Sequence, residues 1–175
     1  MKAVFLDRDG VVVADRNYQF RISDMEILEG VPEAIISLNE AGFQVIIVSN
    51  QSGVARGYFS EKDVRKFNDY LASELKKAGA RIDGMYYCPH HPTEAKVAKY
   101  RKDCDCRKPK PGMLLCAARD HNISLPKSWV VGDKDSDIGA GKAAGCRTIF
   151  VGKDQSKAAD FFAKDLKDAV ARILS

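Results

Sequence analysis

Asp7-Arg8-Asp9-Gly10-Val11 places two carboxylates two residues apart, directly after the apolar run Ala3 to Leu6. Just off the end of a strand, such a pair can approach one cation and one substrate atom together. A carboxylate is a weak nucleophile, yet it becomes competent against phosphorus once a metal has neutralised the phosphate's charge. Mg²⁺ suits that task because it takes hard oxygen ligands and keeps positions open for water and substrate phosphate. The second carboxylate can protonate a leaving alcohol and afterwards take a proton from water. Asp7 is therefore the candidate nucleophile, Asp9 the candidate acid and base, and both are candidate Mg²⁺ ligands. Asp-x-Asp also arises by chance, so the motif needs support from the rest of the chain.

A second constellation is Cys88-Pro89-His90 followed by Cys104-Asp105-Cys106. Three thiolates and an imidazole suit tetrahedral Zn²⁺, and four protein ligands leave no open position, so the expected role is structural. The alternative is a group of buried free cysteines, but Cys-x-His and Cys-x-Cys pairs in a polar stretch argue against burial. His91 is an alternative to His90 as the imidazole ligand. Cys116 and Cys146 fall in helix and strand patterns and read as small core residues.

The elements that must position these groups alternate in type. Ala3 to Leu6, Phe43 to Val48, Met85 to Tyr87, Trp129 to Val131 and Cys146 to Val151 read as short strands. Between them lie helical segments: Val31 to Ala41, a stretch capped by Ser60 with Val64, Phe67, Leu71 and Leu75 as its buried stripe, one opened by Pro111, and Asp135 to Ala144. Ala158, Phe162, Leu166, Val170 and Ile173 give a closing helix its apolar face. This rhythm predicts an α/β fold, a three-layer sandwich around a parallel Rossmann-like sheet. In such a sheet the carboxyl ends of the strands lie along one ligand-binding edge, which brings Asp7, Ser49-Asn50 and Gly132-Asp133 together. Any one aspartate after a strand reads as a turn or cap residue; three polar groups on one edge read as a site.

The 175 residues read as a single domain over 1–175, with a cysteine-bearing loop over about 88–110. A net charge of +4, from 28 basic and 24 acidic residues, is too small to imply a nucleic-acid partner by itself. Basic residues do crowd between Lys96 and Lys110, which keeps a zinc-ribbon nucleic-acid module as a rival reading. Between Cys88 and Lys110, Tyr100 is the only aromatic apart from histidines, so stacking platforms are scarce. No apolar run matches a membrane span, and Met1 to Asp7 lacks a signal-peptide pattern, so a cytoplasmic monomer without membrane partner is expected.

With its later motifs included, the chain resembles the phosphatases of the haloacid dehalogenase superfamily. Asp7 to Val11 looks like their first motif and Ser49 like their second, a hydroxyl on the transferring phosphoryl oxygen. Lys108 is similar to their third, a cation offsetting charge at the nucleophile. Gly132-Asp133-Lys134-Asp135-Ser136-Asp137 resembles their fourth, where Asp133 completes the Mg²⁺ site. Asp137 either supports that site from behind or caps the following helix. The short spacing between the first two motifs leaves no room for a large cap domain, so access must be controlled by loops.

The cysteine loop, ending Arg107-Lys108-Pro109-Lys110-Pro111-Gly112-Met113, resembles the heptose 1,7-bisphosphate phosphatases within that superfamily. The related histidinol-phosphate phosphatases carry a shorter loop. The resemblance implies a phosphorylated sugar as substrate, cleaved at its 7-phosphate through an aspartyl-phosphate. It implies substrate contacts from Asp15, Arg16, Asn17, Tyr18, Asn50, Gln51, Ser52 and Lys134. It also implies one from Arg107, whose planar fork suits a second phosphate.

Overall fold

The computed structural model describes residues 1–152 and 158–175. Six strands form one parallel sheet: β1 (Lys2–Leu6), β2 (Phe43–Asn50), β3 (Gly84–Cys88), β4 (Trp129–Gly132), β5 (Arg147–Val151) and β6 (Phe161–Ala163). Their order is β3-β2-β1-β4-β5-β6, so the winding direction reverses between β1 and β4. That reversal opens a crevice at the carboxyl ends of those two strands.

Successive strand residues feed opposite layers, as a period of two requires. Val4, Leu6, Val45, Ile47, Trp129 and Val131 pack on one face with α1 (Val31–Glu40), the buried stripe of α2 (Glu61–Lys77) and α5 (Leu166–Leu174). Ala3, Phe5, Ile46, Val48 and Val130 pack on the other with α3 (Gly112–Asp120) and Ala140 of α4 (Asp135–Ala143). Fully buried side chains such as Leu71, Leu75 and Leu114 each contribute roughly 1.5–3 kcal/mol to holding these layers together. The expected three-layer α/β sandwich is thus the observed fold.

Local chemistry sets the element ends. Ser60 and Asp63 exchange hydrogen bonds in a capping box that starts α2. Gly42, at φ +77°, takes the left-handed turn between α1 and β2 that a side chain would resist. The closing segment departs from expectation. Instead of one helix from Ala158, Phe161–Ala163 pairs with β5 as a sixth strand, and Asp165 then caps a shorter α5 by accepting from Asp168 N. Phe162 is 40% exposed, whereas Phe161 packs against Trp129 with ring centroids 5.7 Å apart. A strand's alternation and a helix's stripe share positions over so short a run, which is why the pattern misled.

Candidate active site

Asp7 leaves the end of β1 and Asp133 the end of β4, so the two flank the crevice at the reversal. Asp7 and Lys108 are both buried, and Lys108 Nζ donates to Asp7 Oδ1 at 2.8 Å and to Val48 O at 2.8 Å. The same ammonium pairs with Asp137 Oδ1 at 2.5 Å. Burial pushes the Asp7 carboxyl up to about 7, aided by the charge of Asp137 and opposed by Lys108. Burial draws Lys108 downward, but Asp137 and Asp7 outweigh it and hold the ammonium above its ordinary value. Of the two roles the sequence leaves open for Asp137, the helix cap is the one seen, and the residue also pairs with Lys108. Its Oδ2 accepts from Lys134 N at 3.0 Å, capping α4, while its Oδ1 faces the lysine.

Asp7, Asp133 and Asp137 each offer an oxygen within 4.8 Å of the others. Asp133 Oδ1 is buried without a hydrogen-bond partner among the described residues, and burial raises the Asp133 carboxyl. An orphaned oxygen beside two further carboxylates is the donor set that a hard divalent cation such as Mg²⁺ fits. Gly10 makes the arrangement feasible. At φ +92°, a Cβ there would sit 2.1 Å from Asp133 Oδ2.

The side chain of Asp9, expected as a further metal ligand, lies outside this cluster. Its carboxylate instead accepts from Gln19 Nε2 at 2.6 Å, Gln51 Nε2 at 3.0 Å, and Arg8 Nε and Nη2 at 3.1 and 3.2 Å. Arg8 is itself buried, held by Asn68 Oδ1 at 3.0 Å and by the face of Phe67. Asp9 borders two adjoining cavities. The inner one, about 50 Å³, also touches Asp7, Ser49 and Lys108; the outer one, about 300 Å³, is lined by Asn17, Tyr18, Ser52, Arg107 and Lys134 among others.

Of the expected substrate contacts, Asp15, Asn17, Tyr18, Asn50, Gln51, Ser52, Arg107 and Lys134 line the outer cavity. Arg16 does not: it turns to Glu26, pairing at 2.5 Å. Asn50 spends its amide on Lys108, donating to its carbonyl and accepting from its N–H, each at 3.0 Å. Asp15 Oδ2 pairs with Lys134 Nζ at 3.1 Å, while its Oδ1 accepts from Asn17 N and braces a turn in which Asn17 and Tyr18 both have positive φ. Three side chains at the site have no role legible in the sequence. Gln19 falls in no motif, while Arg8 and Ser136 sit within the first and fourth motifs; Arg8 lines the outer cavity and Ser136 borders both.

Cys88, His90, Cys104 and Cys106 converge as the spacing suggested. The three sulfurs lie 3.2 to 3.4 Å apart, with His90 Nδ1 3.6 Å from Cys88 Sγ and 3.5 Å from Cys106 Sγ. Zinc–sulfur bonds of about 2.3 Å at tetrahedral angles would space such sulfurs by roughly 3.7 Å, so small outward shifts accommodate the ion. Contacts from Cys88 first, then Cys104 and His90, lower the Cys106 thiol, and the same contact raises that of Cys88, so the cluster sheds its first proton readily from Cys106. His91 is engaged elsewhere: its Nδ1 accepts from Glu94 N at 2.9 Å. The cluster abuts the crevice, because Arg107 Nη1 donates to His90 O at 3.2 Å.

Comparison with known proteins sets this arrangement among the haloacid dehalogenase-type phosphatases. The HAD-hydrolase-like family model matches residues 105–174. A D-glycero-beta-D-manno-heptose-1,7-bisphosphate 7-phosphatase from Haemophilus ducreyi is 41% identical over 97% of this chain and 96% of its own. One from Pasteurella multocida is 48% identical over 82% and 77%. The crystal structure of a D,D-heptose 1,7-bisphosphate phosphatase from B. bronchiseptica, complexed with magnesium and phosphate, superposes with a TM-score of 0.85. It is 30% identical and covers 99% of this chain and 98% of that one. The chain belongs to the D-glycero-beta-D-manno-heptose-1,7-bisphosphate 7-phosphatase family.

Proposed function

We propose that this protein hydrolyses the 7-phosphate of D-glycero-beta-D-manno-heptose 1,7-bisphosphate, with Asp7 as nucleophile and Asp9 as acid and base. The observation that carries the reading is the paired cavity: a small chamber over Asp7 opens into a larger one bearing Arg107 and Lys134. One phosphoryl group fits above the nucleophile while a second anionic end meets cations further out. The names of the relatives and the magnesium and phosphate in the B. bronchiseptica structure support the same substrate class and metal.

In the first half-reaction, Asp7 attacks phosphorus and Asp9 protonates the departing C7 oxygen. In the second, Asp9 takes a proton from the water that cleaves the aspartyl-phosphate. Lys108 holds the attacking carboxylate in place and offsets charge at the phosphoryl oxygens, and Ser49 offers its hydroxyl to one of them. Asp7 and Asp133 would hold Mg²⁺ with Asp137 beside them. When bound, the ion supplies charge neutralisation at the phosphoryl group. Cys88, His90, Cys104 and Cys106 would hold a structural Zn²⁺, keeping Arg107 aimed at the outer cavity through His90 O. Three thiol ligands call for a reducing compartment, which supports a cytoplasmic location. Because every proposed group comes from one chain, the monomer suffices.

The test is kcat/KM for heptose 1,7-bisphosphate against histidinol phosphate, which lacks a second phosphate. A clear preference for the bisphosphate is expected. Preference for histidinol phosphate would overturn the substrate while leaving the phosphatase reading intact.

A further inference from the structure

The turn carrying Asn17 and Tyr18 along the outer cavity runs directly into Gln19, a buried residue to which no motif assigns a role. The two N–H groups of its amide are both committed, one to Asp9 Oδ1 at 2.6 Å and one to Ala14 O at 2.8 Å. The carbonyl, Oε1, is buried without a partner among the described residues. Rotating the amide by half a turn would give that carbonyl a new environment but set it against two acceptors, so the orientation is fixed. A buried unsatisfied carbonyl destabilises a fold, so filling space alone would favour an apolar side chain; what the amide adds is its two donated bonds, to Asp9 Oδ1 and Ala14 O. Packing alone therefore does not explain a glutamine here.

The other donors to Asp9 come from its own neighbour Arg8, from Ser49 Oγ at 3.5 Å and from Gln51 just after β2. Gln19 alone reaches it from the substrate-facing turn. We infer that Gln19 is a positioning residue, tying the Asn17–Tyr18 turn to the Asp9 carboxylate so that the proton-handling group is set when the sugar occupies the outer cavity. The inference rests on Asp9 acting as the acid and base.

Gln19→Met keeps length and shape and removes the unpartnered Oε1, but takes the donor from Asp9 Oδ1 and from Ala14 O. It should melt within a few degrees of the native temperature, since one defect is removed as two bonds are lost, while kcat falls roughly ten- to a hundredfold, the factor carried by one hydrogen bond to a charged group, and KM moves less than about twofold. Gln19→Glu keeps the shape but puts a second carboxylate against Asp9, and kcat should fall at least as far. Asp9→Asn is measured alongside. If Asp9→Asn is inactive while both Gln19 variants turn over within about twofold of native, the inference fails and the role of Asp9 stands. If Asp9→Asn is fully active, the proposed role of Asp9 fails and the inference falls with it. If kcat in the Met variant falls only as its melting temperature falls, Gln19 is structural and the inference is overturned.

Discussion

The crevice floor and the cysteine loop both gather charged or metal-seeking groups, but they are held by opposite means. The floor is made of strand ends. Asp7 follows β1, Ser49 lies in β2 and Asp133 follows β4, and Lys108 is pinned by Asp7, Val48 O and Asp137. The loop from Pro89 to Pro111 contains a single 3₁₀ turn, at Ala98–Tyr100, and no strand or α-helix. Its coherence rests on the cluster of Cys88, His90, Cys104 and Cys106, the proposed zinc ligands, and on a few ties outward. Tyr100 donates to Glu61 Oε1 at 2.7 Å, and Lys96 N and Val97 N donate to Ala55 O. A floor built on the sheet keeps its shape when a metal leaves; a loop built on ligands does not.

The most damaging change should be to Lys108, the buried cation that faces Asp7 and Asp137. Lys108→Ala leaves Asp7 and Asp137 facing each other without compensation. Breaking a buried pair in this way costs about 3–5 kcal/mol, so both turnover and the denaturant midpoint should collapse. Unchanged stability would mean that the floor is not held together by that ion pair.

The second change tests the loop. Cys106→Ser should lose zinc, lower activity through Arg107 and leave magnesium affinity nearly unchanged, because the floor does not depend on the cluster. Metal analysis and a magnesium titration on the same sample check both halves. Loss of magnesium affinity together with zinc would dissolve the distinction between the two regions. A smaller effect follows from Arg107→Ala, which would remove the charge-assisted contact proposed for the second phosphate, roughly 1.5–3 kcal/mol. It should lower kcat/KM for the bisphosphate by about one to two orders of magnitude and for a monophosphate much less.

The smallest effect is one of pH. Asp7 is raised from 3.8 to about 7 and Asp133 is also raised, so in the folded protein both bind protons more readily than when unfolded. Their contribution to stability is complete below the unfolded values and is lost as pH rises through the folded ones. Metal-free protein should therefore melt at lower temperature as pH climbs from about 5 to 8. Added Mg²⁺ should raise the melting temperature more at pH 8 than at pH 5.5, since it competes with those protons. Asp7→Asn should flatten the metal-free slope; an equal slope in that variant would assign the effect elsewhere.

The same contrast explains what could be read from the sequence. Strand ends are local events, so Asp7, Ser49 and Asp133 announced themselves by following apolar runs. Paired Cys and His spacings likewise fix which side chains can share a metal. Partnerships across the fold left no such trace. That Asn50 would be occupied by the Lys108 backbone, that Arg16 would turn to Glu26, and that Gln19 would reach Asp9 all depend on loop paths set by tertiary packing. Asp137 carries two roles at once because the first turn of α4 faces Lys108, which spacing alone does not reveal. The sixth strand was hidden by its length: three residues are too few to separate alternation from a helical stripe.

In the proposed mechanism phosphate passes through the carboxylate of Asp7. Native enzyme mixed with bisphosphate labelled at the 7-phosphate, quenched in acid within the first turnovers and digested, should carry label on the peptide containing Asp7. Asp7→Asn should carry none and turn over nothing. Label on a serine or histidine, or sustained hydrolysis by Asp7→Asn, would contradict it.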